Sequence, residues 1–205
     1  MPNWCMNSMS VCGPENEVRS IADKLKTKDE DGATIGQLRD FMPQPTDAAG
    51  ELIGGVDWQY DNWGTKWGDC ETQLSDENYA VPTMSSISMH FQTAWGPASG
   101  LIKEISRLHP NVSIDNEYEE PGMNFFGIER YKGGESVIEE HHEYEFDKGV
   151  ITLNDGWTAN FDTDWDDKEQ DPFETLNEAI YSAMEHLWSQ ALLSAPTDED
   201  PIKSK

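Results

Sequence analysis

The stretch FDTDWDDKEQDPFE, residues 161–174, sets Asp162, Asp164 and Asp166 at the first, third and fifth places of a would-be calcium loop. Such a loop also needs a glycine at its sixth place for the sharp turn and a bidentate glutamate at its twelfth. Asp167 and Phe173 hold those places, and Glu174 comes one residue late. The expectation is an acidic face running into a helix. A divalent-metal enzyme using the carboxylates of 162–171 stays open only as the third of three functional readings. In EEHHE, residues 139–143, His141 and His142 stand beside Glu139, Glu140 and Glu143. Adjacent residues of a strand face opposite ways, so the two histidines are badly placed to share one metal. The HExxH spacing that puts two histidines on one helical face is missing. A solvated strand edge is expected here. With no GxSxG, phosphate-cradling glycine loop or GxGxxG in the chain, no catalytic residue, metal ligand or cofactor is assigned.

YDNWGTKWGDC, residues 60–70, poses a different question, with two tryptophans, two glycines and a lysine between Trp63 and Cys70. Indole is bulky and its N–H wants a partner. The favoured expectation is a signature of the fold, with Trp63 and Trp67 packed and Gly64 turning the chain. The alternative is a pocket built around Trp58, Trp63, Lys66, Trp67 and Trp95, which would stack a base or another ring, as in a receptor for a nucleotide signal.

Charge is the strongest compositional signal: 40 Asp and Glu against 14 Lys and Arg, a formal net charge of −26. Binding nucleic acid directly needs a basic stripe, so that partner is disfavoured, as is an anionic membrane surface. The field favours basic proteins. From Ser113 to Asp171 there are 18 acidic residues against four basic ones, interleaved with aromatic residues that a disordered acidic tail would lack. Carboxylates on a folded surface cost a partner less ordering entropy than a floppy tail. Candidate partner-binding residues are Glu117, Glu119, Glu139, Glu143, Glu145, Asp162, Asp164 and Asp166.

The elements that must carry these residues follow from periodicity. Residues 4–12 suit a strand, in which Cys5 and Cys12 face opposite ways. Val18, Ile21, Ala22 and Leu25 mark an amphipathic helix, and 27–57 is expected to be loop-like with its Pro and Gly markers. Ile87, Met89, Phe91 and Thr93 alternate with polar neighbours as one face of an interior strand. A helix follows with Pro97 near its start and Leu101, Ile105 and Leu108 as its stripe. Val112 to Glu119 alternate again, MNFFGIERY suits another strand, and a hairpin is expected from HEYEFDKG to VITL. The last helix is capped by Asp171, Pro172 and Glu174, with Phe173, Leu176, Ile180, Met184, Leu187 and Ala191 buried. Strand, helix, strand, strand, helix, strand is the order of an α+β, ferredoxin-like fold: an antiparallel sheet with two helices on one face, extended by C-terminal strands and a C-terminal helix. The expected division is 1–130 for that domain, 131–195 for its acidic extension and 196–205 for a frayed tail.

MPNWC, FMPQP, NWGTKW, FQTAWGP and EYEEPGMNFFG occur in this order along the first 130 residues. This set resembles the YubB ferredoxin-like domain family of phage and plasmid proteins. The resemblance implies the fold and an origin on mobile elements, and transfers no catalytic residue. Joined to the charge, it leads to the first functional reading: an accessory protein that binds and inhibits a basic host nucleic-acid-handling protein, as an anti-CRISPR or anti-restriction nucleic-acid mimic would. The expected location is the host cytoplasm, since neither a signal peptide nor a membrane span is legible.

Overall fold

The computed structural model describes residues 2–28, 30–31, 36–75, 84–163 and 172–194. It divides into two compact units, Met1–Tyr144 and Glu145–Lys205.

In the first unit, strand β1 (Trp4–Pro14) leads into helix α1 (Glu15–Leu25). Helix α2 (Gly55–Trp63) precedes the hairpin of β2 (Lys66–Ser75) and β3 (Met84–Ala94). Helix α3 (Ser99–Leu108), β4 (Ser113–Glu120), β5 (Phe125–Lys132) and β6 (Glu135–Glu143) follow. The sheet order is β2-β3-β1-β4-β5-β6 with every neighbour antiparallel. Its first four strands are the ferredoxin-like arrangement, and β5 and β6 extend it.

The register puts alternate residues of β1, β3, β4 and β5 on a shared face. Met9 and Val11 of β1, Ile87, Met89 and Phe91 of β3, Ile114 of β4 and Tyr131 of β5 form one buried cluster with Val18, Ile21, Ala22 and Leu25 of α1 and Leu101, Ile102 and Ile105 of α3. Both helices therefore cover the same side of the sheet. β3 is an interior strand, as its alternation predicts, and each fully buried side chain of this kind stabilises by about 1.5–3 kcal/mol. In α1, Glu15 and Glu17 occupy the first turn and Lys24 the last, matching the helix dipole.

The structure differs from the sequence expectations at three places. Residues 55–63, expected as loop and tryptophan motif, are helix α2. It escapes periodicity because only Gln59 and Trp63 are buried in it and its N-cap is Gly54, which supplies no capping side chain. In α3 the stripe uses Ile102, while Leu108, the last helical residue, is 43% exposed. The chain does turn at Gly149, whose φ is +61°. However, β7 (Val150–Thr152) pairs in a sheet with β8 (Thr158–Asn160), and only an isolated bridge, Glu145 to Val150, joins it to the preceding segment. HEYEF cannot pair there because its first part already belongs to β6, whose partner is β5 across the Gly133–Gly134 turn.

In the second unit, helix α4 (Pro172–Ser194) packs against the β7–β8 hairpin. Leu176, Ile180, Met184 and Leu187 are buried as the 3.6-residue period requires, with Ala179 and Ala183 between them. Ala191 is half-buried. Asp171 and the side chain of Phe173 lie outside the described residues. No described helix is long and apolar enough to cross a membrane.

Candidate functional site

The tryptophan stretch is a corner where α2 ends and β2 begins. Trp63 is 3% exposed; its indole N–H donates to the Met42 carbonyl at 2.8 Å, and its ring meets that of Trp58 edge-on at 5.5 Å. Gly64 closes α2 in the left-handed conformation, φ +82°, with its N–H donating to the Tyr60 carbonyl. Trp63 and Gly64 thus behave as a fold signature.

Trp67 does not. It was expected to be packed and is 40% exposed. Its backbone takes φ +72°, which turns the ring out of the core, while its N–H donates to Gln59 Oε1 and its carbonyl accepts from Arg39 Nη1. Lys66 Nζ lies 4.3 Å from the ring centre, and the Trp4 ring is 6.5 Å away. Lys66 and Trp4 both pair with Ala94 of β3, one from each side, so the register itself brings them together. Trp95, the next residue along, also takes φ +72° and is 41% exposed. A left-handed conformation costs a bulky residue about 1–3 kcal/mol, and neither tryptophan recovers this by full burial. The five proposed pocket residues therefore fall into separate settings. Trp58 and Trp63 pair with each other, Lys66 and Trp67 join Trp4 at the surface, and Trp95 has no ring contact among the described residues. Trp4 was not foreseen, since its role depends on β1 pairing with β3.

The proposed acidic residues also divide. Glu117 and Glu119 on β4 are half-buried. Burial holds the Glu119 carboxyl above the usual carboxylate range. Glu139 and Glu143 on β6 are exposed. They lie on the other face of the sheet, because Glu139 pairs with Glu129, which pairs in turn with Asn116, while Glu117 is the neighbour of Asn116. Glu145 is exposed and bridged to Lys148 at 2.6 Å. Asp162 is half-buried and its N–H donates to Thr175 Oγ1. Asp164 and Asp166 lie outside the described residues. Glu135 and Glu140, which are not among the candidates above, are also exposed on β6. Among the described residues no group of three or more metal-ligating side chains stands together.

β6 is the outer strand of the sheet and pairs only with β5 among the described strands. His141 and His142 point to opposite sides. Tyr118 lies across Gly127, where any side chain would collide with its ring, and its hydroxyl meets His141 Nδ1 at 3.0 Å. His142 is 7% exposed and its ring stacks on Phe126.

A buried polar group lies between the sheet and the start of α3. Glu129, 3% exposed, accepts from Ser99 Oγ at 2.5 Å, and Asn116 Nδ2 donates to Asn7 Oδ1 at 3.2 Å. Asn7 donates to the Cys5 carbonyl and to Thr93 Oγ1. Burial pushes the Glu129 carboxyl up, only partly offset by the Ser99 and Asn116 hydrogen bonds. Nothing in the sequence marks this group, because its members come from β1, β3, β4, β5 and α3.

Residues 62–156 match a family model described as the ferredoxin-like domain in Api92-like protein. The match begins in the last turn of α2 and runs through the hairpin turn after β7. No curated protein matches. Among solved structures, the crystal structure of a protein api92 from Yersinia pseudotuberculosis is similar at 18% identity and a TM-score of 0.40. That similarity covers 55% of this chain and 41% of the other, so the chain spans less than half the length of that relative.

Proposed function

We propose that this chain is an interaction protein that binds a basic, nucleic-acid-handling host protein through its carboxylates and inhibits it. The observation that carries the reading is the acidic outer strand: Glu135, Glu139, Glu140 and Glu143 are all exposed on β6, in a chain of net charge −26. Held on a sheet, these carboxylates present charge at a lower ordering cost than a floppy tail, and many acting together supply the attraction that single exposed charges lack. A phage or plasmid origin, kinship to the YubB domain and a cytoplasmic location belong to the same proposal. The motif order in residues 1–130 supports the origin and the kinship, and the match at 62–156 supports the ferredoxin-like domain alone. The test is capture from host lysate with the full chain, followed by competition with DNA or RNA. A basic nucleic-acid-binding protein should be retained at about 50 mM salt and released near 500 mM, because exposed charges are screened over a few ångströms at that strength. A partner indifferent to salt, or one that holds its nucleic acid undisturbed, would defeat the reading.

A second reading is favoured by a separate observation, the exposed Trp67 with its left-handed backbone and with Lys66 over its ring. Strain of this kind gathers at binding sites, and the Trp4–Trp67–Lys66 group offers a stacking surface for a planar anionic ligand. Quenching of tryptophan fluorescence by nucleotides that is abolished by Trp67→Ala supports it. Identical quenching in the variant argues against it.

A further inference from the structure

We infer that β6 is an acceptor for an extended, basic segment of a partner protein, which joins the sheet as a seventh strand. The inference rests on the acidic-surface reading above and adds the mode of binding. Among the described strands β6 ends the sheet, so one of its two hydrogen-bonding edges faces away from β5. Outer strands with open N–H and C=O groups are templates for another strand, and natural proteins commonly blunt them by keeping them short, adding proline or bulges, or lining them with charge; the exposed glutamates of β6 oppose every strand but a basic one. β6 runs nine residues, contains no proline, and is exposed at every position but Ile138 and His142. Its single register shift lies at its first turn of pairing, between Arg130 and Tyr131 of β5, which leaves 138–143 regular.

Charge selects the occupant. A second copy of this chain would set Glu135, Glu139, Glu140 and Glu143 against the same four residues, and like charges facing each other across a strand pair are destabilising. Nucleic acid is repelled by the same groups. A segment with lysine or arginine at alternate positions has its cations on one face, beside Glu139 and Glu143, which share a face with His141 between them. Its intervening apolar residues lie on the other face, toward Ile138. Main-chain hydrogen bonds then give affinity, and the alternation gives specificity.

The test uses the full chain and two nine-residue peptides of alternating lysine and valine. One has a normal backbone; the other is methylated on every backbone nitrogen, which keeps its charge and removes its donors. The normal peptide should bind and slow amide exchange within residues 135–143, and the methylated one should bind roughly tenfold more weakly or worse, several hydrogen bonds being lost. Glu139→Lys with Glu143→Lys should abolish binding of the normal peptide while the melting profile is kept. Equal binding of both peptides, with no new protection on β6, overturns strand addition and leaves the acidic-surface reading standing. Failure of both peptides to bind also overturns strand addition. Salt-sensitive capture of a basic protein then decides the parent reading by itself.

Discussion

Trp63 and Trp67 are four residues apart, and their surroundings assign them opposite roles. Trp63 is buried with its N–H bonded to Met42, so Trp63→Ala leaves a cavity and an unpaired carbonyl. The expected loss is about 3–5 kcal/mol. Trp67 is held by its backbone, through Gln59 and Arg39, rather than by its ring. Trp67→Ala should therefore cost less than about 1 kcal/mol, typical of positions away from a packed core. Urea unfolding of the two variants checks both values, and similar losses would mean that the exposed ring has a structural role. The sequence marked both tryptophans as unusual. It had no means of separating them, because the left-handed backbone at Trp67 falls where the pairing of β2 with β3 shifts register, between Lys66 and Cys70.

At the scale of elements, the crossing of α2 with α3 depends on one glycine. A β-carbon on Gly100 would lie 2.0 Å from the Asn62 carbonyl oxygen, which belongs to the last turn of α2 and cannot rotate away. Alanine ordinarily improves a helix by about 1 kcal/mol over glycine. Gly100→Ala is expected to reverse that sign and destabilise by about 1–3 kcal/mol, the usual cost of overpacking. A thermal melt decides it: a variant equal to or more stable than the parent would show that the two helices part easily. Helices α1 and α4 were legible because their apolar residues recur every three or four positions. α2 was not, since two buried residues in nine make no stripe.

For the whole molecule, the balance of perturbed carboxyls sets a direction for stability with pH. Burial raises Asp69, Glu119, Glu120 and Glu129 above the values of 3.8 and 4.5 expected of free Asp and Glu. The hydrogen bond from Arg107 lowers the half-buried Glu104, and that from His186 lowers the exposed Asp155. A raised carboxyl holds its proton more firmly folded than unfolded. Its contribution is complete below the unfolded value and is lost as pH rises through the folded one. Self-repulsion of a chain at −26 acts in the same direction. The melting temperature should fall as pH is raised from about 5 to about 8, and added salt should recover part of the loss. Glu129→Gln should flatten the curve, since the amide keeps an acceptor for Ser99 and carries no charge. A melting temperature that rises with pH would show that the lowered pair outweighs the raised four.

Much of this protein is written locally. Period-two alternation in 87–94 and 112–119, the stripes of α1 and α4, and the strand–helix order were enough for the ferredoxin-like sheet with its helices on one face. The same alternation separated His141 from His142, and composition alone established the charge. What the sequence left open depends on which strands become neighbours. Pairing across the sheet brought Trp4 to Lys66 and Trp67, buried Glu129 beside Ser99 and Asn116, and put Glu117 and Glu139 on opposite faces. It also made EEHHE the last of the described strands in the sheet. A one-residue slip in register would send each of these side chains to the other face. Side-chain type and spacing are properties of the chain; adjacency of distant segments, and with it the candidate surfaces, exists only once the strands are paired.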